Sequence, residues 1–236
     1  RYIGFGKLDV KDHDDRDEDY DDSSAVESGQ ILDLQTLTTE ERIKNIFSDT
    51  LVGGEITLED SDDIVRHFMD NIHREANPLR LLAETKSNDE YTFTHTANVG
   101  ILTLFLAEHL GFKGSALNNI GVAAILHDVG KVKTPDEILS KRGPLTSDER
   151  EVMETHTLKG ALKLMEQENI SNVAVLAALE HHMKYDGTGY PRVKGIREQG
   201  IVSQIISIAD VYDALRTIRP YRPDPMPMDR IIQIFR

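Results

Sequence analysis

The stretch IGVAAILHDVGK, residues 120–131, places seven consecutive apolar or small residues directly before His127 and Asp128. A helix that is apolar on every side is normally buried in a protein core. An unpaired carboxylate in such a place costs several kcal/mol, so buried charges are usually paired or bound to a metal. The sequence therefore predicts a buried helix that ends in a His-Asp pair with a specific partner.

Two further apolar stretches lead into residues of the same kind. Residues 173–179, VAVLAAL, run into Glu180 and the pair His181-His182, and residues 201–209 run into Asp210. A lone histidine in this position is more often a hydrogen-bonded core residue or a helix cap than a ligand. Three such termini together favour a metal site, because imidazoles combined with carboxylates suit Fe, Mn or Zn better than Ca or Mg.

Most of the chain carries the periodicity of amphipathic or buried helices, and its sequence shows no series of alternating strands. Ser61 or Asp62 is a suitable N-cap for a helix that passes through Ile72. Further helices are predicted over residues 96–110, 115–129, 146–168, 171–182, 199–216 and 227–235. The predicted fold class is all-α: a helical bundle with a helical C-terminal extension and a small N-terminal segment.

Composition limits the functions that are available. The chain has 236 residues, a formal net charge of −14 and no cysteine. The acidic balance argues against a general binder of nucleic acid polymers or anionic membranes. The absence of cysteine excludes a disulfide framework, a zinc-thiolate site and a thiol nucleophile. No apolar run reaches the length of about 18 residues that a membrane span needs.

Charge divides the chain into regions. Residues 9–22 contain nine acidic residues, which is typical of a solvated linker. A calcium loop is disfavoured because Asp17 stands where that loop needs glycine. We predict an acidic linker or tail over residues 1–30, and an N-terminal adaptor leading into a helix over residues 31–85. Residues 86–236 are then the domain that carries the candidate ligands, expected to be truncated at its C-terminus.

Two isolated histidines join the candidate set. His95 stands directly before the helix predicted over residues 96–110, and His156 lies inside an amphipathic helix. The remaining four histidines follow surface or linker patterns, and we interpret them as solvated or capping residues: His13, His67, His73 and His109.

Three basic residues admit two interpretations each. The ammonium group of Lys131 could face a phosphate, or it could be a cation that stabilises a helix C-terminus. Arg219 and Arg222 could offer bidentate donors to phosphate, or they could be ordinary surface cations.

Two other features are equally open. The glycines of DGTGYP, residues 186–191, indicate a tight turn, in which Tyr190 could stack on a base or simply pack. Asp213 follows Asp210 by three residues on nearly the same helix face. It could lie behind the ligands or beside a substrate phosphate.

The longer motifs resemble one family, the HD-GYP subfamily of HD-domain phosphohydrolases. The matching strings are HDVGK at 127–131, PDEIL at 135–139, HHMKYDGTGYP at 181–191 and ADVYDALRTIRPYR at 209–222, together with His95, and with His156 followed by Gly160. The resemblance covers residues 62–236 approximately and makes residues 86–236 an HD-GYP catalytic domain.

The resemblance implies a bacterial phosphodiesterase that hydrolyses cyclic di-GMP to pGpG, GMP or both, with two divalent metal ions, Fe or alternatively Mn, and a bridging hydroxide. It implies these ligands: His95, His127, Asp128, His156, His181, His182 and Asp210. Asp128 would bridge both metals, His95, His127 and Asp210 would complete one site, and His156, His181 and His182 the other. Asp128 and Lys131 would be catalytic. Substrate contacts would come from Lys131, Asp213, Arg219, Arg222 and Tyr190.

The sequence departs from the family pattern at two positions. Some members carry a glutamate four residues before the first histidine that holds a third metal, and here that residue is Tyr91. We therefore expect two metals. Met183 replaces the glutamate that usually follows the two histidines.

Two other functional classes stay open. The domain could be a degenerate module that binds nucleotide or a diguanylate cyclase partner without turnover, although every ligand of the motif is present. It could also be an HD-type nucleotidase, which the GYP and RPYR strings disfavour. Expected partners are cyclic di-GMP, GGDEF-domain proteins and a second copy in a homodimer. The expected location is the cytoplasm.

Overall fold

The helix that contains the apolar residues 120–126 lies in the core of the protein. In the computed structural model, α4 spans Gly114–Leu126, and its side chains from Ile120 to Leu126 are almost fully buried. It packs against α3, Tyr91–His109, and α8, Asn172–Glu180. The predicted buried helix is therefore confirmed, and it ends directly before His127.

The structure describes residues 39–50, 54, 56, 58–75, 77–82, 91–141, 143–192, 199–217 and 225–235. These residues form helices and connecting turns with no β-strand, so the all-α class is confirmed. The remaining helices are α1 over residues 39–50, α2 Leu58–Arg74, α5 Asp136–Leu139, α6 Ser147–Glu154, α7 His156–Met165, α9 Ile201–Arg216 and α10 Met228–Ile234. Two 3-10 helices cover Pro78–Leu81 and Val129–Lys133.

A close backbone approach holds α7 beside the end of α4. Gly130 lies in the 3-10 helix Val129–Lys133 and faces Gly160 of α7. A Cβ atom on Gly130 would lie 1.9 Å from the carbonyl oxygen of His156 and 2.5 Å from the nitrogen of Gly160. Only glycine fits there, and the contact brings His156 next to Asp128.

Several predicted helix boundaries are wrong. Asp210 lies inside α9, Ile201–Arg216, and not at the helix terminus that the apolar run before it suggested, although the helix predicted over residues 199–216 matches α9. His95 does not precede α3 but lies in its second turn, since α3 begins four residues earlier. Ser61 is not an N-cap: α2 begins at Leu58 and buries Ser61 in its interior. The helix predicted over residues 146–168 is two helices, α6 and α7, that meet at Thr155.

Helix α1 falls within the segment predicted to be an adaptor. Ile43, Ile46 and Phe47 are buried in the same core as α3 and α4. The boundary predicted at residue 85 stays a prediction.

Some predictions concern residues outside the described part of the chain. These are the acidic segment within residues 1–30, the side chain of Tyr91, and the arginines Arg219 and Arg222. Within the described residues, none of the helices combines the length and apolarity that a transmembrane segment requires.

Candidate metal centre

All seven predicted metal ligands lie together, and Asp128 is at their centre. Its Oδ2 atom lies 3.3 Å from His127 Nε2 and 4.0 Å from His95 Nε2. Its Oδ1 atom lies 3.3 Å from His156 Nε2 and 3.6 Å from His181 Nε2. The two carboxylate oxygens therefore face two different groups of histidines, as a bridging ligand would.

Two sets of ligand atoms are close enough to hold an ion each. In the first set, His95, His127 and Asp128 offer atoms that lie within 4.8 Å of one another. In the second set, Asp128 is joined by His156, His181 and His182 within the same limit. Asp210 connects the two sets, because its oxygens lie 3.0 Å from His95 Nε2 and 3.6 Å from His182 Nδ1.

Backbone carbonyls fix the orientation of three of these histidines. The Nδ1 atoms of His127 and His156 donate to the carbonyls of Ala124 and Met153 at 2.6 and 2.7 Å. His181 Nδ1 lies 3.0 Å from the carbonyl oxygen of Ala177. A carbonyl only accepts hydrogen bonds, so the proton of each neutral ring is on Nδ1 and the lone pair is on Nε2.

The inward-facing atoms form an arrangement that needs a cation. Two Nε2 atoms, those of His156 and His181, lie 3.3 Å apart, and both face Asp128 Oδ1. Among the described residues, neither Asp128 Oδ1 nor His127 Nε2 makes a hydrogen bond, although both are buried. Lone pairs that converge without donors are unfavourable alone and suit a divalent cation. The residues therefore fit a metal centre.

Burial and charge shift the pKa values in opposite directions. Burial lowers the pKa of His156, and together with the neighbouring His181 it lowers that of His182 strongly. Both imidazoles are therefore neutral and available as ligands. Burial would raise the pKa of Asp128, but the positive charge of Lys131 holds it well below its usual range.

His95 is held by carboxylates instead of a backbone carbonyl. Its Nδ1 donates to Asp213 Oδ2 at 2.7 Å, and Asn98 Nδ2 donates to the other oxygen of Asp213 at 2.9 Å. Burial lowers the pKa of His95, but the hydrogen bonds to Asp210 and Asp213 outweigh it and raise the pKa to about 9. Asp213 is buried, and both of its oxygens are engaged behind His95.

Lys131 pairs with the carboxylate at the centre of the cluster. Its Nζ atom forms an ion pair with Asp128 Oδ2, and the side chain is partly exposed to a cleft. The pairing joins the predicted catalytic lysine directly to the predicted bridging carboxylate.

The GYP loop covers one side of the centre. A Cβ atom on Gly189 would lie 2.2 Å from the carbonyl oxygen of His182, so the loop packs directly on the backbone of this histidine. The Tyr190 ring lies 4.7 Å from the His182 ring, centroid to centroid. Burial and the charges of Asp128 and Asp210 raise the pKa of Tyr190, which keeps its phenol protonated. Tyr190 packs on His182 and also lines the cleft.

The cleft of about 830 Å³ opens beside the metal centre. Its lining includes five residues of the candidate centre and its surroundings: Lys131, His156, His182, Tyr190 and Asp210. The volume lies within the range of roughly 300–1,000 Å³ that is typical of small-molecule sites.

Sequence reasoning missed two buried partners of the centre. Asn98 is one turn after His95 and holds Asp213; the i, i+3 spacing in the string HTAN was the available signal. Glu180 is buried beside His181, and its Oε2 accepts from the backbone of Gly200 at 2.9 Å and from Ser203 Oγ at 2.7 Å. It fixes the start of α9, the helix that carries Asp210.

Three of the histidines interpreted as surface residues have partners of their own. His67 contacts Asn71, His73 contacts Glu108, and His109 contacts the carbonyl of Phe105. The fourth, His13, lies outside the described residues.

Comparison with known proteins identifies the class. The chain belongs to the HD domain family, whose sequence model matches residues 80–235. It is 33% identical over 180 residues to a cyclic di-GMP phosphodiesterase of Pseudomonas aeruginosa, covering 76% of this chain and 44% of that protein. It is 34% identical over 150 residues to a 3'3'-cGAMP-specific phosphodiesterase of Vibrio cholerae, covering 64% of this chain and 34% of that protein. The chain thus spans less than half the length of these two relatives.

A solved structure shows the same fold. A protein of Bdellovibrio bacteriovorus described as an HDG"Y"P protein superimposes with a TM-score of 0.68 at 18% identity, covering 90% of this chain and 67% of the other. This structure confirms the fold that the motifs indicate, and the family match over residues 80–235 confirms the resemblance to HD-domain proteins.

Proposed function

We propose that this chain is the catalytic region of a metal-dependent phosphodiesterase that hydrolyses cyclic di-GMP to pGpG, GMP or both. The observation that supports it best is the position of Asp128, between two histidine sets whose lone pairs converge on its two oxygens. The named activities of the relatives support the substrate class.

The proposed metal content is two divalent ions, Fe or alternatively Mn. His95, His127 and Asp210 would hold one ion, and His156, His181 and His182 the other, with Asp128 shared between them. Ions held in this way supply charge neutralisation for the phosphate and activation of water near neutral pH. Imidazole and carboxylate donors suit both metals.

The other polar residues have separate proposed roles. Lys131 is free to turn to the substrate phosphate once the charge of Asp128 is neutralised, because its ion pair with that carboxylate is then weakened. Asp213 orients His95 through the Nδ1 hydrogen bond. The role of Arg219 and Arg222 as phosphate contacts stays a prediction that rests on the motif alone.

We place this activity in the cytoplasm, where a cyclic dinucleotide messenger would be degraded. GGDEF-domain proteins and a second copy of the chain are proposed as partners from the family resemblance alone.

One sample tests the proposal. The protein is purified without oxygen, its Fe and Mn are measured, and the same sample is assayed on cyclic di-GMP, 3'3'-cGAMP and dNTPs. We expect about two metals per chain and hydrolysis of a cyclic dinucleotide in preference to dNTPs. Asp148→Asn, at an exposed residue of α6, is the control for effects of purification and storage.

Two results would contradict the proposal. Loaded protein that binds cyclic di-GMP but never hydrolyses it would identify a signalling module without turnover. Preference for dNTPs would identify a nucleotidase.

A further inference from the structure

Helix α1 is joined to the turn of α3 that carries His95. The rings of Phe47 and Phe93 meet edge to face with centroids 5.9 Å apart, and Thr94 donates a hydrogen bond from its hydroxyl to Glu40. Phe93 and Thr94 are the two residues directly before His95. Helix α1 is therefore packed on the metal-binding domain itself, although residues 39–50 lie outside the match to the HD domain family.

The same helix forms part of the wall of the cleft. Lys44, Phe47 and Ser48 line it together, and their i, i+3, i+4 spacing places them on one face of the helix. The metal-facing residues Lys131 and His156 line the same cleft. A ligand that reaches from the metal centre along this cleft would therefore meet α1.

Charge distinguishes Lys44 from the other lysines of the cleft. Lys131 is paired with Asp128, and Lys141 is paired with Glu149. Lys44 is exposed, and it takes part in no ion pair within the part of the chain that the structure describes. In a chain with a net charge of −14, an unneutralised ammonium in an apolar-walled cleft favours an anionic ligand.

We propose that Lys44 binds the second phosphate of the cyclic dinucleotide, the one that is not being hydrolysed. This inference rests on the proposed function, since a cyclic dinucleotide carries two phosphates and the metal centre engages one. The ammonium group is a flexible point charge with three donors, suited to a phosphate in the same cleft as the metal-facing residues. Lys44 is then a substrate-binding residue supplied from outside the family motif.

The test compares three variants with wild type in steady-state hydrolysis of cyclic di-GMP. We expect Lys44→Gln to raise KM about ten-fold with a smaller change in kcat, because the bond is made in the ground state and the transition state alike. Lys44→Arg should restore most of the affinity, since it keeps the charge. Lys113→Gln is the matched control for loss of one surface charge. Lys113 is exposed at the start of α4, and its side chain makes no capping hydrogen bond there.

Two further readouts exclude a structural effect. The metal content of Lys44→Gln should equal that of wild type. Its loss of catalytic efficiency should be much smaller with bis(p-nitrophenyl) phosphate, which has a single phosphate, than with cyclic di-GMP. Equal loss on both substrates, loss of metal, or kinetics like those of Lys113→Gln would each overturn the role of Lys44. Those results require an active wild type; a metal-loaded wild type that hydrolyses no cyclic dinucleotide would instead refute the proposed function, and this inference with it.

Discussion

Replacement of Asp213 by asparagine tests whether the hydrogen bond from His95 Nδ1 to Asp213 sets the tautomer in which His95 can bind a metal. Asp213 accepts from His95 Nδ1 at 2.7 Å and from Asn98 Nδ2 at 2.9 Å. An amide has only one accepting oxygen. If its NH2 group faces His95, Nδ1 must accept, and the proton moves to Nε2, the atom that faces the metal site. If the NH2 group faces Asn98 instead, two donors oppose each other.

The magnitude follows from the lost hydrogen bond. A hydrogen bond to a charged group contributes about 1.5–3 kcal/mol, and outer partners of metal-bound histidines typically change metal affinity or activity by roughly 10–100-fold. Both figures describe the same free energy, because about 1.4 kcal/mol is a factor of ten. We expect Asp213→Asn to weaken metal binding at the first site by roughly 10–100-fold.

Competition with a chromophoric chelator, using Mn²⁺ in air and Fe²⁺ without oxygen, measures that affinity. Asp148→Asn, which removes an exposed carboxylate from α6, is the control for the change of net charge. The HD-GYP resemblance implies instead that Asp213 contacts the substrate. Wild-type metal affinity combined with a raised KM for cyclic di-GMP would support that role and refute our argument.

Three further predictions concern the same centre. Asp128→Ala should abolish metal loading and turnover, because it removes the ligand shared by both histidine sets; normal metal content with retained hydrolysis would contradict its assignment. Gly130→Ala should destabilise the protein by about 1–3 kcal/mol or more in urea unfolding and lower the metal content, because the added Cβ meets the carbonyl of His156 at 1.9 Å. Gly200→Ala, whose Cβ would meet nothing closer than 3.5 Å, should have a much smaller effect, and equal losses would refute the close-approach argument. In chelated protein the pKa of His95 is raised from 6.5 to about 9, so its stabilising contribution is complete below pH 6.5 and is lost as the pH rises to 9. The urea midpoint of the metal-free protein should fall over that interval; a constant midpoint would show that His95 is not held as a cation.

The sequence predicted most reliably what depends on neighbouring residues. The apolar residues before His127 and His181 identified α4 and α8, because a helix that is apolar all round has no solvated face. Helix α1 was not predicted, since residues 39–50 offer only Ile43, Ile46 and Phe47 as a periodic signal. Its position on the core comes from contacts with α3 that no local pattern encodes.

Long-range partners could not be predicted from local pattern. His95 and Asp213 are 118 residues apart in sequence, and their hydrogen bond exists only because α3 packs against α9. The motif placed Asp213 near the site but left two roles open. The terminus suggested at Asp210 was wrong for a related reason: the apolar run before it resembles those before His127 and His181, but α9 continues past Asp210, whose partner His95 comes from α3.

The position of ligands at helix ends also has a chemical consequence. Carbonyls in the last turns of α4, α6 and α8 accept from the Nδ1 atoms of His127, His156 and His181. Each of these hydrogen bonds fixes the tautomer that turns an Nε2 lone pair inward. The C-terminal end of a helix carries a partial negative charge that favours cations, and three such ends converge on Asp128. Helices that end at or directly before these histidines therefore provide two things. Their carbonyls orient the candidate ligands, and their C-terminal ends create an electrostatic environment suited to divalent ions.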